Sequence, residues 1–311
     1  MMSICVRRPG LFTTVQDAGR WGYQHFGVPV AGAMDSASHR LANAIVGNDP
    51  SAATLEITLV GPELECGRPT LFAVTGAEFD VCLDGVGVAT NTSYLALPGQ
   101  VISFGERRSG ARAYLSVAGG FDVPWVLGSR STHAASRMGG LSGRPLRTGD
   151  SLAVAPGAST PVRKGATRVP AFRVPKGGAR VRVISGPHAQ MFGVSGLRAF
   201  ERARYRVAPE SDRMGYRLEG ERIRTSGDAS VISSAVSLGS VQIPPGGLPI
   251  VLMADHQTTG GYPRIATVIS ADLPLVGQLK ASDWIEFEPC SAAEALRALI
   301  AQERTLMAAS E

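Results

Sequence analysis

Thr13-Thr14-Val15-Gln16-Asp17-Ala18-Gly19-Arg20-Trp21-Gly22-Tyr23 has a counterpart far along the chain in Ser211-Asp212-Arg213-Met214-Gly215-Tyr216, so an acid, an arginine and a Gly-Tyr pair occur twice in the same order. Later landmarks keep step with this echo. The segment GPELECGRPTLFAVTG over 61–76 matches GSVQIPPGGLPIVLMAD over 239–255, and 113–122 matches 264–272. Leu146-Arg147-Thr148-Gly149-Asp150 matches Leu279-Lys280-Ala281-Ser282-Asp283. The offset between partners shrinks along the chain, which puts the insertions in the first copy. An ordered series of echoes implies an internal duplication.

Size agrees with two copies, because single hydrophobic cores stop growing at about 250 to 300 residues and this chain has 311. Between 155 and 178 the sequence thins to Pro156, Pro161, Pro170 and Pro175 among glycines, the composition of an extended connector. The expected division is a first domain over 1–160, a connector over 161–178 and a second domain over 179–311. With 37 Gly, 20 Pro and 44% hydrophobic residues, the chain reads as folded, turn-rich and mainly β. Strand-like runs recur at intervals of about 8 to 12 residues, the spacing of sandwiches and barrels. Asp84-Gly85 between two alternating apolar runs predicts a hairpin. Helices are few. One starts after Asp35, its N-cap, with Ala37, Leu41, Ala44 and Ile45 on one face and Gly47 at its end. The last starts at Ser291 with Glu294 completing a capping box, and its Leu296, Leu299, Ile300 and Met307 are expected to pack on a barrel or on a partner.

Several function classes drop out. A balance of 31 basic to 26 acidic residues gives +5, yet no Lys/Arg block interleaves with aromatics, so no nucleic-acid partner is expected. No apolar run reaches the ~18 residues of a membrane span, and the N-terminus lacks a signal-peptide core. The expected setting is cytoplasmic and away from membranes. Cys5, Cys66, Cys82 and Cys290 show no CxxC spacing and read as reduced, buried thiols, with no metal site indicated. The histidines form no metal-binding pairs, and no Gly-x-Ser-x-Gly elbow, Gly-Lys-Ser/Thr phosphate loop or Met-Lys-Met biotin site occurs.

The strongest candidate for chemistry is Asp255-His256-Gln257-Thr258-Thr259-Gly260-Gly261-Tyr262, which follows an apolar strand and joins a carboxylate and two hydroxyls to a Gly pair. Backbone N–H groups of Gly260 and Gly261 could form an anion-binding nest, with Asp255 and Thr258 catalytic. A plain β-turn, in which Asp255 and Thr258 bond their own backbone, is the alternative. Gln16, Asp17 and Arg20 form a second polar group, with Asp17 a catalytic candidate, and Arg213 repeats the theme. Ion pairs inside each turn would explain the same residues. For Glu56, inside an apolar strand, ligand contact and an internal ion pair both stay open, because a buried carboxylate needs a partner.

Thr13 to Asp35, the run Ala42-Asn43-Ala44-Ile45-Val46-Gly47-Asn48, Leu55-Glu56, Ser211 to Leu218 and Asp255 to Tyr262 together resemble the carboxyltransferase subdomain C/D family, whose members include the C component of 5-oxoprolinase and urea amidolyase-related proteins. The resemblance implies two tandem cyclophilin-like β-barrels. It implies an enzyme component that joins a kinase-inhibitor-like B component and a separate A component to open 5-oxo-L-proline with ATP, the ATP bound somewhere in the complex. An alternative is the carboxyltransferase part of a biotin-dependent urea carboxylase, with no covalent biotin on this chain; others are a non-enzymatic binder of the kinase-inhibitor-like partner and a lone prolyl isomerase. On this reading Gln16, Arg20, Tyr23, Glu56, Arg213, Tyr216, Thr259, Gly260, Gly261 and Tyr262 hold a small amide, the polar loops of the two copies acting together. The chain departs from the usual pattern at Ser234-Ala235, where an acid followed by Gly is common, at Leu248 for Gln and at His256 for Arg.

Overall fold

The computed structural model describes residues 3–156, 172–225 and 231–310. Residues 161–171 of the expected connector lie outside the described residues. The chain divides into two compact units, one made of 1–21, 31–174 and 303–311, the other of 22–30 and 175–302. It is mainly β, with four α-helices among the described residues.

The first unit contains β1 (Ser3–Arg8), β2 (Phe12–Gln16), β3 (Thr54–Thr58), β4 (Glu63–Cys66), β5 (Thr70–Leu83), β6 (Val86–Val88), β7 (Ser93–Ala96), β8 (Val101–Val117) and β9 (Ser151–Ala153). They form one sheet of order β2-β3-β8-β4-β1-β9, with β5 added on β8 and carrying β6 and β7. Strand β8 serves two walls: 101–103 pairs with β4, and 112–115 pairs with β3. Register shifts along β5 and β8 between Gly76 and Val81 bend both strands, as bulges do, and curl the sheet into a half-barrel. The concave side buries Val15, Leu55, Ile57, Leu64, Phe72 and Leu115 at 2% exposure or less. Asp84 and Gly85 take φ of 49° and 77° between Leu83 and its ladder partner Val86, the left-handed turn that the Asp-Gly pair predicts.

Helix α1 (Ser36–Ile45) begins at Asp35, which accepts from Ser38 N at 2.9 Å, and stops at Gly47 with φ 75°. The closing helix starts with the reciprocal Ser291/Glu294 bonds of a capping box. Its packed face differs from the expected one. Leu296, Ile300 and Met307 are 58, 42 and 66% exposed, whereas Leu306 and Ala309 bury against Leu41 and Phe172. Leu299 is half-buried, and the docking of the last turns is oriented by Arg40, which holds Glu303 through two bonds of 2.6 and 2.7 Å.

The second unit contains β10 (Gly178–Ser185), β11 (Arg204–Val207), β12 (Gly215–Glu219), β13 (Ser234–Ala235), β14 (Ser240–Gln242), β15 (Ile250–Leu252), β16 (Thr259–Gly260), β17 (Arg264–Val268) and β18 (Trp284–Pro289). Seven of these close a barrel, β10-β17-β14-β15-β12-β11-β18, sealed where β18 runs parallel to β10. Phe287 stacks on Phe200 of the helix Gly193–Arg202 at 4.5 Å inside it. Both units are thus barrel-like, but the closed barrel is the second, and the first is a curled sheet.

The sequence echoes fold into matching turns. Arg147 N donates to Asp150 Oδ2 at 2.7 Å while Asp150 N returns to Arg147 O, and Lys280 N donates to Asp283 Oδ2 at 3.1 Å while Asp283 N returns to Lys280 O. Each turn then feeds a strand, β9 or β18. Cys66 is buried, which pushes its thiol up to about 11, whereas Cys5, Cys82 and Cys290 are only half-buried; all are free thiols. No helix among the described residues is long and apolar enough to cross a membrane.

Candidate functional site

In the first unit β2 delivers Gln16 and Asp17 into a buried polar network. Asp17, 3% exposed, accepts from Gly19 N at 2.8 Å, Ser129 Oγ at 2.6 Å, Ser131 Oγ and Arg130 N. Gln16 Nε2 donates to Thr14 Oγ1 and Thr132 O at 3.0 and 3.1 Å. Arg20 is fully buried, its Nη2 on Ser131 O at 2.6 Å and its Nε on Val126 O. The three residues grip one segment, 129–132, and the group that the sequence presents as ligand-facing is packed inside the unit. Sequence reasoning misses the run Ser129-Arg130-Ser131-Thr132; its dense hydroxyls and backbone donors are the signal that pairs it with an acid.

Glu56 resolves toward internal partners. Its Oε2 accepts from Met34 N and Tyr114 Oη, both at 2.8 Å, and Arg112 Nε lies 3.8 Å from Oε1. Burial, then the Glu56 charge, raises the Tyr114 hydroxyl well above its usual range, so it stays protonated and donates. His39, whose Nδ1 lies 2.9 Å from Thr54 Oγ1, is lowered to about 4 by burial and stays neutral. Asn43 and Asn48 bond buried backbone and Ser116. This side of α1 docks through buried polar groups that bond one another and the backbone, as buried polar groups generally do.

In the second unit Arg213 finds its partner in Asp255, not in the adjacent Asp212. The pair is bidentate, Nε to Oδ2 at 2.9 Å and Nη2 to Oδ1 at 3.0 Å, with both side chains under a tenth exposed. Asp212 instead caps its own turn through Met214 N and Gly215 N. Asp255 N also donates to Arg213 O at 2.8 Å, so backbone and side chains tie the root of the 255–262 loop to β12. Tyr216 is buried with its hydroxyl on Leu279 O, and Tyr23 is half-buried at the start of a 3₁₀ turn.

Beyond that root the loop turns outward. His256 is held neutral by burial, with Nδ1 2.6 Å from Gln257 O. Thr258 is half-buried, Thr259 and Tyr262 exposed. Gly260 sits on β16 opposite Ser234, and neither Gly260 nor Gly261 takes positive φ, so the expected nest gives way to a two-residue ladder. Arg264 pins the facing segment through Ala235 O and Ser234 Oγ at 2.7 and 2.9 Å. Sequence reasoning also misses Arg264, which holds that segment.

The carboxyltransferase domain, subdomain A and B, matches residues 26–289. The chain belongs to the carboxyltransferase domain family. The subdomains matched are A and B, where the resemblance named C and D. Among relatives of this family, the C component of Escherichia coli 5-oxoprolinase is 40% identical over 297 residues, covering 96% of this chain and 94% of that protein. A Saccharomyces cerevisiae urea amidolyase is 34% identical over 93% of this chain but only 17% of its own length. The solved Kluyveromyces lactis urea amidolyase superposes with a TM-score of 0.93 at 34% identity, over 99% of this chain and 20% of that one.

Proposed function

We propose that the chain is the C component of an ATP-dependent 5-oxoprolinase, acting with a kinase-inhibitor-like B component and a separate A component in the cytoplasm to convert 5-oxo-L-proline, ATP and water to L-glutamate, ADP and phosphate. The observation that carries this reading is similarity over 94% of the length of a 5-oxoprolinase C component, against about a fifth or less of each urea amidolyase. The geometry of the second unit is in keeping with it. Opening the ring breaks the lactam C–N bond and places charge on the carbonyl oxygen, and the 255–262 loop offers Thr258 and Thr259 hydroxyls on a root fixed by Arg213 and Asp255. Asp255 and Asp17 serve this reading as positioning groups, each carboxylate held by several hydrogen bonds. ATP is a substrate of the complex, with no site on this chain assigned.

Reconstitution tests the proposal. Co-expressed with the A and B components, the chain is expected to elute in one complex that releases glutamate only with ATP, and to be inert alone. Glutamate release by the chain alone, or undiminished release by the other two components without it, overturns the reading. The fold match to urea amidolyase favours a second reading, a carboxyltransferase for urea, which carboxylation of urea by the chain with a biotin carboxylase partner would establish instead.

A further inference from the structure

Just after β12 the chain runs through Glu221-Arg222-Ile223-Arg224. Ile223 is 2% exposed and its N donates to Gly247 O at 2.8 Å, while the arginines on either side of it are exposed. A turn faces this stretch. Gly247 N returns to Pro244 O at 2.8 Å, Pro245 brings the fixed φ that suits the second position of a turn, and Gly247 ends it with φ 79°. Between stretch and turn lies a cleft of about 450 Å³, inside the roughly 300 to 1,000 Å³ span of small-molecule sites.

The lining divides by chemistry. Ile223, Ile243, Pro244 and Pro245 give an apolar floor, Arg222 and Arg224 give the charge, and no acid among the described residues lines the cleft. Glu221 faces a different cleft with Arg202 and Arg204, and Glu210 and Glu219 line a third. Among the described residues Arg224 has no hydrogen-bond or ion-pair partner, and Arg222 commits only Nη1, which donates to Gly246 O. That bond holds one guanidinium at the rim and leaves its other N–H groups to donate. The backbone shows the room directly: a Cβ added to Gly246, whose φ is not positive, would meet only Arg222 Nη1 within 4 Å, at 3.9 Å. Guanidinium forks grip planar carboxylates through paired bonds. Two of them without an opposing acid, above an apolar floor, call for a ligand with one anionic end and an apolar body.

We infer that this cleft is an anion site of the second unit, taking a small organic carboxylate whose charged end lies between Arg222 and Arg224 and whose apolar body covers Ile243 and Pro244. The site uses none of the residues of the 255–262 loop and stands independently of the function proposed above.

The test is an amide-shift NMR titration of the free chain with 5-oxo-L-proline, a carboxylate on a small ring, and with 2-pyrrolidinone, the same ring without the carboxylate. The acid is expected to bind at about 1 mM and to shift the amides of 222–224 and 246–247, with the lactam at least about 10-fold weaker. Arg222→Gln and Arg224→Gln are each expected to weaken the acid about 10-fold, the worth of a charge-assisted hydrogen bond, at unchanged melting temperature. Gly246→Leu, which fills the cleft, is expected to abolish these shifts. Absence of binding by the wild type at about 10 mM, wild-type affinity in Arg224→Gln, or equal binding of 2-pyrrolidinone overturns the inference. Inorganic phosphate binding as tightly as the acid also overturns it, because the apolar floor would then contribute nothing.

Discussion

Replacing Asp255 with alanine removes the carboxylate that Arg213 holds through bonds of 2.9 and 3.0 Å. The two side chains are only 9 and 8% exposed, so water does little to screen the charge left behind. Breaking a buried pair from one side costs about 3 to 5 kcal/mol, far above the ~1 kcal/mol ceiling of an exposed pair. For a unit of this size that corresponds to a fall of roughly 10 °C or more in melting temperature. Urea unfolding followed by circular dichroism measures the loss directly. Replacing both partners, Asp255→Leu with Arg213→Met, is expected to recover all but about 1 to 2 kcal/mol, because apolar residues of similar volume replace a buried pair at little net cost. A single variant that loses less than about 1 kcal/mol refutes the argument, since the pair would then behave as an exposed one. Turnover of Asp255→Ala in the complex, measured below its melting temperature, separates loop positioning from lost stability.

Other expectations follow from the same contacts. His39 is lowered from 6.5 to about 4, so the unfolded state binds its proton first; its contribution is complete above pH 6.5 and is lost as pH falls toward 4. That loss amounts to about 3 kcal/mol, and His39→Gln should flatten the stability profile across this window; an unchanged slope rules His39 out as its source. Leu306→Ala is expected to cost about 2 kcal/mol or more by opening a cavity beside Leu41, whereas Met307→Ala should stay within about 0.5 kcal/mol; equal losses in urea titrations would restore the face that periodicity suggested. Thr258→Ala is expected to lower turnover of the complex about 100-fold with no change in melting, and wild-type turnover would remove Thr258 from the site.

What this sequence determined by itself is local chemistry. Asp84-Gly85 could only turn left-handed between its strands, Asp35 and Ser291/Glu294 set helix starts, and the Leu146–Asp150 and Leu279–Asp283 echoes built the same reciprocal turn, because each interaction spans a few residues. The family was legible for the same reason, through contiguous motifs. Partner choice was not. Asp17 and Arg20 look alike whether they face a ligand or the Ser129–Thr132 segment, and only folding brings that segment, over a hundred positions away, onto them. Arg213 sits beside Asp212 in sequence yet bonds Asp255, since the β12–β15 ladder sets Gly215 opposite Leu252 and carries the loop root to it. Closure likewise depended on long-range pairing: β18 meets β10 in parallel in one unit, while bulges in β5 and β8 curl the other without sealing it. Buried charge and ladder order are settled by the tertiary structure because the free energy of each group depends on what desolvates it, and the neighbours in sequence are seldom those that do.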